Sequence, residues 1–183
     1  MAEVKGKKKW YEILATNHFN NQPIGETVAN DDKSLIGRII EANLGSLTRD
    51  AKLQNIKIKF KINEVKDGKA YTEIKGCELV NNYIKRITRS GRSKIDDSFL
   101  FITKDDVKIR IKPMILTKFK SQRSALKGIK DFARKEFSEY IKKETYDKIV
   151  TDLVNKSFQR ELRGKLNKIY PISLFEIRVM QRI

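Results

Sequence analysis

Residues 55–65 read NIKIKFKINEV. Ile56, Ile58, Phe60 and Ile62 alternate with Lys57, Lys59 and Lys61, the period of two that gives a β-strand one apolar and one basic face. Lys66-Asp67-Gly68-Lys69 follows. Asp-Gly between two strand-like runs is a strong hairpin signal, because the tight turn needs positive φ at both positions. Residues 70–78 return as the partner strand. Lysine is a poor strand former, and like charges on one face repel by a few tenths of a kcal/mol per pair. A basic strand face is therefore either a solvent face guarded against aggregation or a surface that meets phosphate.

Working outward, the same pattern recurs. In residues 107–116, Val107, Ile109 and Ile111 alternate with Lys108, Arg110 and Lys112. With residues 97–103 this predicts a second hairpin around Lys104-Asp105-Asp106. Residues 36–44 read as a strand, and Pro23 with the polar run 29–33 predicts loop through most of 16–34. Leu79, Val80, Tyr83, Ile84 and Ile87 have helical spacing, and residues 85–94 (KRITRSGRSK) read as a mobile basic loop. Ser121 is the expected cap of a helix of about 20 residues, with Leu126, Ile129, Ala133, Phe137, Tyr140 and Ile141 on one stripe. Thr145 is the expected cap of a second helix that runs to about residue 168, before Tyr170-Pro171. Residues 172–183 close the chain as a strand. Hairpins in sequence favour an antiparallel sheet, and a sheet this apolar on one face needs a cover. The expected fold is α+β: a mostly antiparallel, twisted or barrel-like sheet flanked by helices, with two long helices before a C-terminal strand. The expected organisation is a flexible basic arm at 1–9 and a single RNA-binding domain at 10–183.

The chain carries a net charge of +17 over 183 residues. Such a charge destabilises the compact state by self-repulsion, which a polyanion relieves, so nucleic acid is the leading partner class. No apolar run approaches 18 residues, and the start of the chain lacks an apolar signal segment. One cysteine and one histidine exclude a structural zinc site within the chain, which needs about four such ligands. Cys77 reads as a small core residue, and His18 as a solvated or capping loop residue. The charge is uneven. Residues 1–50 are net zero, 51–100 carry +6, 101–143 carry +8 and 144–183 carry +3. Within the first stretch, Lys5, Lys7, Lys8 and Lys9 precede a segment, 10–50, of net −3. One face is thus expected on RNA and another towards a protein neighbour.

The candidate RNA-binding residues follow from this. Lys7, Lys8 and Lys9 lead directly into Trp10, which is either a core anchor or a ring that stacks on an unpaired base. Lys57, Lys59 and Lys61 share one strand face; Lys108, Arg110 and Lys112 share another. Lys85, Arg86, Arg89, Arg92 and Lys94 fill the basic loop. Lys118, Lys120, Arg123 and Lys127 continue the run. Arginine forks onto phosphate or stacks on a base. The pairs Asp31-Asp32, Asp96-Asp97 and Asp105-Asp106 are the one hint of a two-metal nuclease, but they lie at expected loops and strand ends, where Asp is favoured for other reasons. No Gly-rich phosphate loop, GxSxG or HExxH occurs.

Several ordered stretches carry a resemblance: residues 8–13 (KKWYEI), 24–27 (IGET), 37–47 (GRIIEANLGSL), 55–65, Gly76-Cys77-Glu78-Leu79, 92–97, 107–117, Ile169-Tyr170-Pro171 and Glu176-Ile177-Arg178. Together they resemble the archaeal and eukaryotic small-subunit ribosomal protein S-one-e family, also called S-three-a-e. The resemblance implies a β-barrel-like domain flanked by helices. It also implies a place on the small-subunit platform, near the 3′ end of its rRNA and the mRNA exit. The basic tail of longer eukaryotic members is expected to be absent. It implies a cytoplasmic, ribosome-bound structural protein with no catalytic residues, metal or cofactor. The expected partners are small-subunit rRNA, neighbouring small-subunit ribosomal proteins, and mRNA near the exit; no membrane and no small-molecule substrate is expected. The alternative is a free single-strand RNA-binding protein or RNA chaperone.

Overall fold

The computed structural model describes residues 8–183. The chain divides into two compact units, one through Cys77 and one from Glu78. The first contains β1 (Lys9–Leu14), β2 (Pro23–Ala29), β3 (Ile39–Asn43), α1 (Leu44–Thr48), β4 (Ile56–Lys66) and β5 (Lys69–Leu79). Its strand path is β2-β1-β5-β4-β3, open at β2 and β3, with β1 and β5 parallel. The alternation in β4 turns Ile58, Phe60 and Ile62 inward to at most 1% exposure, each worth about 1.5–3 kcal/mol on burial. Asp67 and Gly68 have φ of 51° and 75°, the left-handed pair that a two-residue hairpin turn requires. Tyr11, Ile13, Ala29, Leu35, Ile62 and Ala70 form a core cluster, against which Ile24, Ile40 and Val65 pack.

The sheet stays open rather than closing into a barrel. Arg38, just ahead of β3, reaches the β2 edge instead: its Nη1 donates to the Val28 carbonyl at 3.2 Å and to Thr27 Oγ1 at 3.3 Å. Asn43 caps α1, its side chain accepting from Gly45 N at 2.9 Å. Gly45 is required there, since a Cβ would lie 2.9 Å from Gln54 Cγ and 3.0 Å from the Asp50 carbonyl.

Residues 16–34 differ from the expected loop. They hold β2, with Pro23 as its first residue, and short 3₁₀ turns at Asn17–Phe19 and Asp32–Ser34. Strand β2 buries only Ala29 and shows no alternation of its own; pairing with β1 makes it a strand. The strand expected over 36–44 begins at Ile39, and its last residue is the first of α1. Cys77 is half-buried rather than a core residue.

The second unit contains α2 (Asn81–Ile87), β6 (Lys94–Asp96), β7 (Phe99–Ile102), β8 (Lys108–Thr117), α3 (Arg123–Lys143), α4 (Tyr146–Asn155), α5 (Ser157–Asn167) and β9 (Ile172–Arg182). Strand β8 lies between β9 on one edge and β7 and β6 on the other, all antiparallel. Ile109 and Ile111 are buried while Lys108 and Arg110 are exposed, as the alternation predicts. The alternation stops at the register shift between Lys112 and Pro113, after which β8 is buried on both faces. Helix α3 packs on β7 and α5, and α5 packs on β9. Phe137 of α3 is the hub, with the rings of Phe99, Phe158 and Phe175 at 6.0, 5.1 and 6.0 Å. Each such pair adds about 0.5–1.5 kcal/mol beyond its buried area.

Two expected caps change. Gln122, not Ser121, precedes α3, and no side chain caps that helix. Thr145 does precede α4, but its side chain makes no cap bond. The Asp105 carboxylate takes that role, accepting from Tyr146 N at 3.1 Å. The single helix expected from 145 to 168 is two, because Lys156 sits at φ 56°, a left-handed conformation that ends α4 and starts α5. The break places the Lys156 ammonium 2.8 Å from Glu176 Oε1 on β9, where Glu176 is only 6% exposed.

Replacing Lys156 with Met leaves the Glu176 carboxylate buried without its cation. We expect a loss of about 2–4 kcal/mol in urea melts, much of it recovered when Glu176→Leu is added. The Tyr140 hydroxyl donates to Asp152, while Ser157 Oγ donates to the other oxygen of that carboxylate at 3.1 Å. Burial, and then the bond to Asp152, push the Tyr140 phenol well above its ordinary value of 10.0. A raised folded value stabilises fully below the unfolded value and loses its effect as pH rises past it. Tyr140→Phe should therefore cost about 1–2 kcal/mol at pH 8, and the gap to wild type should narrow above about pH 10. Chemical melts of the two proteins across that range check both the size and the sign.

Candidate nucleic-acid interface

Three of the arginines predicted from sequence meet at one groove in the second unit. Helix α2 ends with Lys85 and Arg86 in its last turn. Gly91, at φ 83°, then reverses the chain and brings Arg92 back. Arg86, Arg89 and Arg92 line a groove of about 320 Å³ together with Tyr83, Ile87, Leu116, Ser173 and Leu174. The Arg86 guanidinium lies 5.5 Å from the centre of the Tyr83 ring, and Arg92 Nη1 donates to Ser173 Oγ at 3.0 Å. All three arginines are exposed, and none pairs with a carboxylate among the described residues. Burial, and then the Glu176 carboxylate, push the Tyr83 phenol up, so it stays neutral.

A buried hydroxyl ties this groove to the next basic segment. Thr117, the last residue of β8, is fully buried. Its Oγ1 accepts from Ser93 N at 2.9 Å, and its proton faces the carbonyls of Phe119 at 2.5 Å and Ser93 at 3.2 Å. Thr117 N donates to the Ser93 carbonyl at 3.0 Å, and Ser121 N donates to Ser93 Oγ at 3.0 Å. Lys118 N donates to the Pro171 carbonyl at 3.0 Å, and the Tyr170 hydroxyl to the Lys120 carbonyl at 3.2 Å. Residues 93 and 117–121 are thus fixed to one another through backbone and hydroxyl bonds. That leaves the side chains of Lys118 and Lys120 exposed. Between them Phe119 is 65% exposed. Arg123 and Lys127 continue the exposed basic surface one turn apart on α3. An exposed ring among cations that have no carboxylate partner among the described residues can stack on a base while phosphates are held beside it.

Phe119 and Tyr83 are the residues that sequence reading missed. The signal for the first was present in Lys118-Phe119-Lys120, an aromatic between two lysines. Tyr83 read as one more apolar position on the stripe of α2.

The other predicted residues are placed differently. Lys57 and Lys59 both pair with Glu41 on the neighbouring strand, at 3.1 and 3.5 Å, while Lys61 is exposed. The hydrogen bond from Lys57 holds the Glu41 carboxyl below its ordinary value. Lys94 pairs with Asp96 at 2.6 Å. Lys108 and Arg110 are exposed and line a different groove from the arginines, while Lys112 is half-buried. Lys7, with most of the proposed arm, lies outside the described residues. Lys8 and Lys9 are exposed, and Trp10 is 69% exposed, so Trp10 is no core anchor.

The acidic pairs are dispersed among structural tasks. Asp32 accepts from the Tyr11 hydroxyl at 2.6 Å, Asp97 pairs with Lys130 at 3.0 Å, and Asp105 caps α4. Among the described residues no three His, Cys, Asp or Glu side chains are grouped to hold a metal ion. No helix among them is long and apolar enough to cross a membrane.

Comparison with known sequences assigns the chain to a class of ribosomal proteins. The Ribosomal S3Ae family matches residues 2–183, and the chain belongs to that family. Archaeal relatives named small ribosomal subunit protein eS1 align along nearly all of it. The relative from Nanoarchaeum equitans is 35% identical over 172 residues, 94% of this chain and 87% of its own length. That from Staphylothermus marinus is 34% identical over 170 residues, 93% of this chain and 80% of its own. That from Halorubrum lacusprofundi is 33% identical over 177 residues, 97% of this chain and 82% of its own. The family is one of structural ribosomal proteins, not of enzymes.

Thr117→Val keeps the shape and removes the hydroxyl, stranding Ser93 N. A loss of about 1–3 kcal/mol is expected, measured by urea denaturation. RNA affinity should fall as well, since the hydroxyl fixes both basic segments.

Proposed function

We propose that the chain holds small-subunit rRNA through the groove of Arg86, Arg89 and Arg92 and the adjoining surface of Lys118, Phe119, Lys120, Arg123 and Lys127. The observation that carries this is the convergence of three exposed arginines, free of carboxylates among the described residues, on one groove that the Ser93–Thr117 bonds tie to the segment of the exposed Phe119. Self-repulsion makes such a cluster unfavourable unless an anion fills it. Guanidinium groups suit phosphate through two parallel N–H donors, and Phe119 supplies a stacking surface for one unpaired base. Lys8, Lys9, Trp10, Lys61 and Lys112 are further contacts in this reading. Lys57, Lys59 and Lys94 contribute less, since each already faces a carboxylate.

The family supports an address as well. In this reading the protein sits on the platform of the small subunit, near the rRNA 3′ end and the mRNA exit, in the cytoplasm. Its neighbours there are other small-subunit proteins, and mRNA passes close by.

Filter binding to rRNA fragments across a salt series tests the groove. Each phosphate contact contributes roughly 0.7–0.9 to the slope of log affinity against log salt. Replacing Arg86, Arg89 and Arg92 by Gln should lower that slope by about two to three. An unchanged slope removes the groove from the interface. Phe119→Ala should behave differently: affinity falls by about 1–3 kcal/mol while the salt slope holds. Chemical footprinting should show one protected rRNA region; protection scattered over any single strand would favour a free RNA chaperone.

A further inference from the structure

Strand β7 consists of four apolar residues, Phe99, Leu100, Phe101 and Ile102. Phe99 and Phe101 turn inward to the Phe137 ring. Leu100 and Ile102 turn outward and are 63% and 52% exposed. Among the described strands β7 pairs with β8 alone. The phase of the ladder follows from two bonds: Thr103 N donates to the Val107 carbonyl at 3.1 Å, and Ile183 N donates to the Lys108 carbonyl at 3.0 Å. Odd-numbered residues of β8 thus aim their amides at β7, and even-numbered ones at β9. Phe99 and Phe101 bond to β8 accordingly, which leaves the N–H and C=O groups of Leu100 and Ile102 on the open edge. Edge strands are ordinarily blunted by lysine, proline or a bulge. This one carries none of these within its four residues.

A groove of about 890 Å³ runs along that edge. Helix α3 contributes Arg134 and Lys142 to its lining, and β8 contributes Lys108 and Arg110 from the outer sheet face. All four are exposed, and none pairs with a carboxylate among the described residues. Apolar side chains, an unpaired backbone edge and a cationic rim therefore coincide.

We propose that the open edge of β7 is a protein-docking site that takes an extended segment of another polypeptide, one in which apolar and acidic residues alternate, as an added strand. The edge amides would bond to the backbone of the segment, its apolar residues would cover Leu100 and Ile102 on the outer face, and its carboxylates, on the opposite face, would meet Arg134 and Lys142 of α3. A second copy of this chain does not fit, because it would set the same cations against each other. RNA fits less well, since the exposed side chains of the strand are aliphatic and offer no ring for a base to stack on. The docking is independent of the arginine groove, which has a different lining.

The test uses the purified full chain and a fluorescein-labelled seven-residue peptide alternating valine and glutamate, read by anisotropy. Comparators are the same peptide with lysine for glutamate, two forms N-methylated on alternate residues in either frame, and a seven-nucleotide oligouridine. The glutamate peptide should bind about tenfold or more tightly than the lysine peptide. One N-methylated frame should lose binding and the other keep it, because only one set of peptide amides can face β7. Leu100→Glu, and Arg134→Glu combined with Lys142→Glu, should each weaken peptide binding by about tenfold or more. These positions are exposed, and a thermal melt of each variant confirms folding. Absence of binding by the glutamate peptide, equal binding of both peptides, or indifference to both methylated frames overturns the proposal. So does a pair of variants that weakens oligouridine binding and leaves the peptide untouched.

Discussion

A change of burial halfway along β8 governs the second unit. Up to Lys112 the strand buries one face and keeps the other in solvent; from Pro113 to Thr117 it buries both. The change falls at a register shift, where β9 carries Arg178 as an extra residue between the partners of Lys112 and Pro113. Each half then does a different job. The first half pairs with the short apolar strand β7 and leaves Lys108 and Arg110 in water. The second half is enclosed between β6 and β9 and ends in a fully buried hydroxyl. Thr117 must find its partners in Ser93 and Phe119, and so it fixes the two basic segments that follow from α2 and β8. The basic surface is rigid at its base because a buried polar group had to be satisfied there.

Charge is handled differently in the two units. In the first, the lysines of β4 share Glu41 across the strand pair, which answers part of their repulsion within the fold. Those pairs are about half exposed and contribute little stability, but they lower the demand for an external anion. In the second unit the arginines of the groove have aromatic and hydroxyl neighbours and no carboxylate among the described residues. Cations left in that state keep their mutual repulsion within the fold.

Where local pattern and tertiary structure agreed, the pattern was strong and short in range. The alternation of Ile and Lys in β4 and β8 gave their faces correctly, and Asp67-Gly68 gave the turn. Where they differed, a distant partner decided. Strand β2 has no apolar face to announce it and exists through β1. The break at Lys156 leaves the apolar stripe of α4 and α5 nearly continuous in sequence, and its ion pair with Glu176 lies 20 positions away. Ser121 looked like a cap because serine favours that position, yet its backbone amide is held by Ser93 and α3 starts two residues later. Asp105 looked like part of an acidic pair and is a cap for a helix it is separated from by 41 positions.

The sequence by itself determined the fold class, the two hairpins, the apolar stripes of the C-terminal helices, the family and the partner class. Periodicity and net charge are local or summed properties, and they survive without knowledge of which residues meet. Tertiary structure alone decided which cations remain free. Lys57 and Arg86 look alike in the sequence, each exposed in a basic run, but one folds beside a carboxylate and the other beside a tyrosine ring. It also decided that Phe119 would be left in solvent and that β7 would keep an open edge among the described strands. Pairing of charges, rings and strand edges depends on distances between residues far apart in the chain, and the folded core alone sets those distances.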